Sequence, residues 1–167
     1  MRVLKKIIPY EKLLTWRATL PVGSTPLVVT NGCFDILHPG HLFLLEKAAA
    51  LGKTLLVGVT GDAAIQKLKG PGRPMLPERD RLLMLCALEF VSHVCLFPEL
   101  DAMAFLEKSH PDIYVKGGDY TLQTINQSER RLLESLGVRI EILPKFGNQS
   151  TSTILRKILS QREFPAA

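Results

Sequence analysis

The sequence has few cysteines and no long apolar run. Its 167 residues include three cysteines, an odd number without a CxxC pair, namely Cys33, Cys86 and Cys95. Two of them lie in apolar stretches, where a packed and reduced thiol is ordinary. No window approaches the run of about 18 apolar residues that spans a membrane, and residues 1–9 lack the apolar core of a signal peptide. We therefore expect a cytoplasmic protein with no membrane partner.

Basic residues are in excess but are not clustered. Lys and Arg number 21 against 16 Asp and Glu, which gives a formal charge of +5. Such an excess suits an anionic partner. The sequence has no long basic run and no basic segment interleaved with aromatic residues, so we expect no nucleic-acid partner. Small phosphorylated molecules fit the charge instead.

Two common nucleotide-binding fingerprints are absent. No GxGxxG follows the first apolar strand pattern, which argues against a dinucleotide-binding site. Residues 51–54 resemble the end of a P-loop, but Lys47 stands at the position of its first glycine. This segment also leaves a helix and enters a strand, whereas a P-loop does the reverse. Nucleotide binding, if present, has to use another motif.

Strand and helix patterns alternate along the chain. Strands are predicted at residues 26–29, 54–60, 91–97, 112–116 and 138–143, and helices at 10–20, 42–50, 62–68, 78–89, 101–109, 127–136 and 150–161. This alternation predicts an α/β fold, a Rossmann-like, doubly wound, parallel five-stranded sheet with helices on both faces. The predicted domain covers residues 27–160, after a helical lead-in at 1–26 and before a tail at 161–167.

The turn after the first strand is the predicted centre of the chemistry. Residues 30–41 read TNGCFDILHPGH. A strand that ends in a glycine turn before a helix directs backbone N–H groups and the positive end of the helix dipole at one point. His38 and His41 flank the Pro39-Gly40 turn, so both imidazoles can face one anion. Gly32 and Gly40 are expected to let the backbone approach a phosphate closely.

Two other interpretations of this histidine pair remain open. A lone HxxH is often a turn histidine beside an exposed histidine at a helix start. A metal site formed by Asp35, His38 and His41 lacks a convincing fourth ligand, because the strand-to-turn geometry holds Cys33 apart. We therefore expect no protein-bound metal.

The stretch at residues 30–41 resembles the signature of the cytidylyltransferase-like nucleotidyltransferases, an HxGH after a first strand and a glycine turn. The resemblance implies that a phosphate oxygen of an acceptor attacks the α-phosphorus of a nucleoside triphosphate and that pyrophosphate leaves. It implies that His38, His41 and Lys69 are catalytic and stabilise charge on the phosphates. Mg²⁺ would arrive with the nucleotide.

A more specific resemblance is to the heptose 1-phosphate adenylyltransferases of ADP-heptose biosynthesis. It rests on LKGPGRP at 68–74, ALEFV at 87–91 and PDIYVKGGDY at 111–120. It implies ATP and a sugar phosphate as substrates, and a homodimer. A sugar kinase precedes this domain in bifunctional relatives; only 26 residues precede residue 27, so we expect a stand-alone transferase. A cytidylyltransferase acting on a polyol phosphate and a non-catalytic nucleotide-binding module are the alternatives.

The resemblance also implies the remaining site residues. The predicted nucleotide contacts are Thr30, Asn31, Gly32, Cys33, Phe34, Gly40, Lys116, Gly117, Asp119, Ser150, Thr151 and Ser152. The predicted acceptor contacts are Asp35, Lys69, Arg81 and Tyr120. Lys145 stands where many relatives have an arginine, and a lysine cannot make the bidentate contact of a guanidinium.

Each of these segments also has a plainer interpretation. The hydroxyl run at residues 150–152 is typical of a helix N-cap, and a lysine such as Lys69 is ordinary in a solvated loop. Arg81 fits the surface of a helix, and residues 117–120 fit a glycine turn capped by Asp119.

Overall fold

Five parallel strands form the centre of the protein. The computed structural model describes residues 2–21, 23–148 and 150–160. The strands are β1 (Leu27–Gly32), β2 (Thr54–Thr60), β3 (His93–Phe97), β4 (Ile113–Gly117) and β5 (Arg139–Leu143). They pair in the order β3-β2-β1-β4-β5, and every pairing is parallel. The predicted five-stranded parallel sheet is confirmed.

Helices precede, connect and follow the strands. In the described ranges the α-helices are α1 (Leu13–Ala18), α2 (Pro39–Ala49), α3 (Asp62–Lys69), α4 (Glu78–Ala87), α5 (Met103–Ser109), α6 (Gln127–Ser135) and α7 (Thr151–Ser160), and the short 3-10 helices are Arg2–Lys6 and Tyr10–Lys12. α2 begins earlier than predicted because Pro39 suits the first helical position, where no N–H is needed. α3 includes Lys69, which was predicted to lie in the following loop.

The two faces of the sheet carry separate apolar clusters. Alternate residues of a strand point to opposite faces. Val28 of β1 belongs to the cluster that contains Leu45 of α2 and Leu85 of α4. Its neighbour Val29 belongs to the cluster that contains Phe105 of α5 and Leu133 of α6. Helices therefore cover both faces, as a doubly wound sheet requires.

The described part of the N-terminal lead-in packs on this sheet. Ile7 forms a parallel bridge with Val94 of β3, and the Ile8 N–H donates to the Val94 carbonyl at 2.8 Å. Leu13 is fully buried in the cluster that contains Phe105. The predicted tail at 161–167 lies outside the described residues. Among the helices that the structure describes, none combines the length and the apolar character needed to cross a membrane.

The order of the strands reverses at β1. Thr30 of β1 pairs with Val57 of β2 on one side and with Val115 of β4 on the other. In open parallel sheets the crevice for ligands lies beyond the carboxyl ends of the strands at such a reversal. Asn31 and Lys116 directly follow this pairing, which places both of them at the crevice.

Candidate active site

A cavity of about 350 Å³ opens at the carboxyl ends of β1 and β4, and we call it the central cavity. It brings together most of the predicted site residues, which come from β1, its turn, α2, α3, β4 and α7. They are Thr30, Asn31, Gly32, Cys33, Phe34, Asp35, His41, Lys69, Lys116, Gly117, Tyr120 and Thr151. Segments far apart in sequence thus meet at one point, as the parallel sheet predicts.

A second cavity of about 200 Å³ adjoins the central cavity and shares His41 with it. We call it the aromatic cavity because Phe43 and Phe146 line it, with their rings stacked at a centroid distance of 4.8 Å. Its other predicted site residues are His38, Gly40, Gly117, Asp119 and Ser150. Lys145 also lines it, and its Nζ lies 2.9 Å from an Asp119 carboxylate oxygen.

The two histidines form a stacked pair at the start of α2. Their ring centroids are 3.8 Å apart with 30° between the planes. His38 is the N-cap residue, and its carbonyl accepts the His41 N–H at 2.8 Å. A Cβ at Gly40 would lie 3.0 Å from the His38 ring. Glycine at this position therefore makes room for the His38 ring, where the sequence predicted room for a phosphate.

Burial controls the charge of this histidine pair. It lowers the pKa of His41 to about 4, and the nearby charges of His38 and Lys69 act in the same direction. Burial also lowers the pKa of His38. Both rings are therefore neutral near pH 7, and each has one N–H donor. A cationic form of either ring requires phosphate charge nearby to raise these pKa values.

Some polar atoms at the site are enclosed without a partner. Thr30 Oγ1, His38 Nδ1 and His41 Nδ1 are buried and make no hydrogen bond within the described part of the chain. Buried polar atoms normally have partners, so atoms left without one need an explanation. A polar ligand in the central and aromatic cavities would supply it.

The start of α7 faces both cavities. Ser150 is in the N-cap position, where its Oγ accepts the Thr153 N–H at 3.0 Å. Ser150 lines the aromatic cavity and Thr151 lines the central cavity. Ser152 is exposed and lines neither of them. The helix N-terminus thus adds N–H groups and a positive dipole end to the site.

Arg81 has a different place from the predicted one. Its side chain is fully enclosed, and its guanidinium donates to the carbonyls of Cys33, Thr60 and Leu76 and to the Asp62 carboxylate. Four of its five N–H donors are thus engaged with protein acceptors, and Arg81 lines none of the three cavities of the site. Arg81 joins the ends of β1 and β2 beneath the cavity, which corrects its assignment as a substrate contact.

Asp35 also serves the protein itself. One carboxylate oxygen accepts the N–H groups of Met75 and Leu76 at 2.8 and 3.0 Å. The other lies 2.8 Å from the Arg73 guanidinium. Although Asp35 lines the central cavity, one of its oxygens accepts two backbone hydrogen bonds and the other is ion-paired with Arg73. It anchors the loop between α3 and α4, where the sequence predicted an acceptor contact.

A third cavity was not predicted from the sequence. It has a volume of about 270 Å³ and shares Asn31, Cys33, Lys116 and Tyr120 with the central cavity. We call it the acidic cavity, because Asp101 and Glu129 line its far side together with Asn126. Asn126 and Glu129 have the spacing of a capping box, so the sequence indicates only a helix start there.

Metal-binding clusters are not found among the residues that the structure describes, since no group of three or more His, Cys, Asp and Glu side chains lies close enough to hold an ion. All three cysteines are free thiols, one half-buried and two buried.

A doubly wound sheet with a histidine pair at the start of the helix that follows β1, together with Lys69 and Lys116 at the same cavity, is typical of α/β nucleotidyltransferases. The model of the cytidylyltransferase-like family matches residues 29–158, and the chain belongs to this family. The predicted family is confirmed.

Curated relatives share the sequence over most of this chain. The chain is 43% identical over 141 residues to the bifunctional protein HldE of Syntrophotalea carbinolica, a match that covers 84% of this chain and 28% of the relative. It is 42% identical over 158 residues to the bifunctional protein HldE of Helicobacter pylori strain G27, covering 92% and 31%. The chain thus spans less than a third of the length of these relatives.

Solved structures share the fold. A lipopolysaccharide core biosynthesis protein from Thermoplasma volcanium matches with a TM-score of 0.61 and 28% identity, over 74% of this chain and 98% of that one. A pantoate-beta-alanine ligase from Francisella tularensis matches with a TM-score of 0.61 over 87% of this chain and 68% of that one. Its identity is 13%, so it supports the fold alone.

Proposed function

We propose that this chain is an adenylyltransferase that transfers AMP from ATP to a heptose 1-phosphate. An oxygen of the acceptor phosphate attacks the α-phosphorus in line, and the bond to the β-phosphate oxygen breaks. The products are ADP-heptose and pyrophosphate, and no covalent enzyme intermediate forms. The similarity to the HldE proteins, together with the motif at residues 111–120, supports this choice of substrates.

The observation that carries the proposal is the set of donors around the central cavity. His41, Lys69, Lys116 and the N-terminal turn of α7 at Thr151 come from four elements and line the same 350 Å³ space. A phosphoryl-transfer site acts mainly by positioning anions and stabilising charge, which requires donors of this kind. Free carboxylates there would repel the phosphates, and Asp35 is held by Arg73.

The nucleotide is proposed to occupy the aromatic and central cavities. The stacked Phe43 and Phe146 rings offer an apolar surface for a base, while Asp119 and Lys145 lie at the rim beside it. The α- and β-phosphates then lie near His38 and His41. Each imidazole donates a hydrogen bond to the charge that develops on these phosphates.

The acceptor is proposed to enter from the other side. The acidic cavity has carboxylates at its far end and Lys116 at the boundary with the central cavity. Carboxylates repel a phosphate but accept hydrogen bonds from hydroxyl groups. A sugar phosphate therefore fits with its hydroxyls toward Asp101 and its phosphate toward Lys116.

Magnesium is proposed to arrive on the nucleotide as part of the substrate. Two lysines and the His41 imidazole line the central cavity, and Asp35, the one carboxylate there among the described residues, is engaged by the chain. Mg²⁺ prefers oxygen ligands and commonly binds through substrate phosphates with few protein groups. This donor set fits a metal carried by the triphosphate.

The test is pyrophosphate release by the purified chain. We expect turnover with ATP and heptose 1-phosphate, and little with CTP or with polyol phosphates. Turnover confined to CTP and glycerol 3-phosphate would make the chain a cytidylyltransferase. Nucleotide binding in calorimetry with no turnover on any acceptor would make it a binding module. His41→Ala serves as the control for contaminating activity.

The proposed setting is the cytoplasm, where the free thiols of Cys33, Cys86 and Cys95 stay reduced. The proposed assembly is a homodimer, as the family resemblance implies. Light scattering on the purified chain measures its mass, and a monomer at all working concentrations contradicts the dimer.

A further inference from the structure

A line of polar contacts runs from α6 through β4 and β1 into the central cavity. A carboxylate oxygen of Glu129 on α6 lies 3.4 Å from the Tyr114 hydroxyl. That hydroxyl donates to Asn31 Oδ1 at 2.7 Å, and Lys116 Nζ donates to the same oxygen at 2.8 Å. Residues from α6, β4 and β1 thus meet at the mouth of the acidic cavity.

The chemistry of lysine fixes how the Asn31 amide is oriented. An ammonium group only donates hydrogen bonds, so the amide atom beside Lys116 Nζ has to be the oxygen. The amide nitrogen Nδ2 makes no hydrogen bond within the described ranges, and Asn31 lines both the central and the acidic cavities. Asn31 therefore offers N–H donors to the occupant of these cavities.

The Tyr114 hydroxyl stays protonated and acts as a hydrogen-bond donor. Its side chain is completely buried, and burial together with the charge of Glu129 raises the pKa of its hydroxyl well above the usual value. The hydroxyl therefore keeps its proton and directs it at Asn31 Oδ1. Loss of this proton donor would leave Lys116 as the main restraint on the amide.

Glu129 also acts on the charge of Lys116. Burial lowers the pKa of the Lys116 ammonium, whereas the charge of Glu129 raises it. The rings of Tyr114 and Tyr120 lie 5.5 and 5.8 Å from Nζ and favour the cation as well. Glu129 is only 6% exposed, and burying such a carboxylate is costly unless nearby groups compensate it.

We propose that Tyr114 and Glu129 are positioning residues for the acceptor phosphate. They hold the Asn31 amide and the Lys116 ammonium so that both groups donate to phosphate oxygens where the central and acidic cavities meet. Neither positioning residue touches the substrate. This inference rests on the proposed function and names the groups that hold the acceptor in place.

The first test compares Tyr114→Phe with a matched variant. Tyr10→Phe likewise removes a tyrosine hydroxyl that donates a hydrogen bond, in this case to Glu99 at 2.6 Å, at a position that lines none of the three cavities. We expect Tyr114→Phe to raise the KM for the acceptor by about tenfold, the worth of one hydrogen bond, and to change the KM for ATP less than twofold. Tyr10→Phe leaves both unchanged. Equal rises in both KM values, or a fall in kcat alone, would overturn the inference.

The second test uses Glu129→Gln, with Glu99→Gln as its control. Without the Glu129 charge the pKa of Lys116 falls, so the basic limb of the pH profile of kcat/KM for the acceptor should move to lower pH. The control should leave this limb in place. If the basic limb of this pH profile does not move in Glu129→Gln, Glu129 is not a positioning residue.

The third test does not depend on turnover. The side-chain NH₂ signals of Asn31, assigned by their loss in Asn31→Ala, are followed by NMR while inorganic phosphate is added. We expect phosphate to shift these signals in the parent protein and to bind about tenfold more weakly in Tyr114→Phe. If phosphate does not shift the Asn31 NH₂ signals, the inference is wrong. A lack of pyrophosphate release with responsive signals overturns only the proposed adenylyl transfer.

Discussion

The His38 and His41 rings lie face to face, 3.8 Å apart, because the residue between Pro39 and His41 is a glycine. The pair stands at the N-terminus of α2, where the helix dipole favours anions. Both rings are neutral near pH 7, since burial lowers their pKa values. Two neutral donors at a helix start form a site that gains positive charge when phosphates approach.

Replacement of His41 by alanine should abolish most of the activity. The loss of one donor to the charge of a transition state typically costs on the order of a hundredfold or more in kcat. Steady-state pyrophosphate release measures this, with His110→Asn as the control because His110 is exposed and lines none of the three cavities. A normal kcat in His41→Ala would remove His41 from the catalytic set.

The stability of the protein should depend on pH through His41. Its pKa is about 4 in the folded protein against 6.5 as the ordinary value, so the unfolded chain binds the proton more readily. The free energy of unfolding is therefore unaffected by this group above about pH 6.5 and falls as the pH drops toward 4. His38 and His93 act in the same direction. Urea denaturation across this pH range should show that the free energy of unfolding falls less steeply in His41→Gln than in the parent protein. Equal falls in the two proteins would contradict the lowered pKa of His41.

Arg81→Lys should destabilise the fold. The guanidinium satisfies three backbone carbonyls and the Asp62 carboxylate from an enclosed position, and an ammonium cannot reach all four. We expect a loss of about 3 kcal/mol, typical of a broken buried polar network. Arg79→Lys, two residues away and exposed, is the matched variant and should stay near the parent. Equal urea midpoints for both variants would show that the Arg81 contacts contribute little.

Gly40→Ala should separate activity from stability. An added Cβ lies 3.0 Å from the His38 ring, so the ring has to shift by a few tenths of an ångström. We expect kcat to fall about tenfold, as small misplacements in catalytic sites do, while alanine in a helix keeps or raises stability. At Gly61 a Cβ meets nothing closer than 3.4 Å, so Gly61→Ala should keep its activity. An unchanged kcat in Gly40→Ala would mean that the spacing of the rings is not critical.

Continuous apolar patterns made the sheet predictable from the sequence. β2 has the predicted bounds because a strand buried on both faces reads as an uninterrupted apolar run. The start of α2 was predicted late, since Pro39 and Gly40 also suit a turn and the apolar pattern begins at Leu42. The strand, turn and helix around residues 30–41 were predictable because they are consecutive in the chain.

The supporting residues could not be predicted in the same way. Arg81 lies on a helix with charged neighbours, so the sequence pattern indicates a surface residue. In the structure, three separate segments of the chain contact it. Tyr114 contacts Asn31 across 83 positions of sequence. The apolar periodicity of a sequence indicates which face of a helix or strand is buried. It does not indicate which buried polar side chains contact each other.

The two edges of the sheet are protected by different means against the addition of a strand from another chain. At the β3 edge, the Ile7 bridge and the Ile8 hydrogen bond cover part of the strand. At the β5 edge, Arg139 and Glu141 place charges along the strand. Unpaired strand edges invite other chains to add to them, and a covering segment and edge charges both oppose this. Removal of residues 1–8 therefore uncovers the β3 edge and favours aggregation, even though none of these residues lines the three cavities of the site.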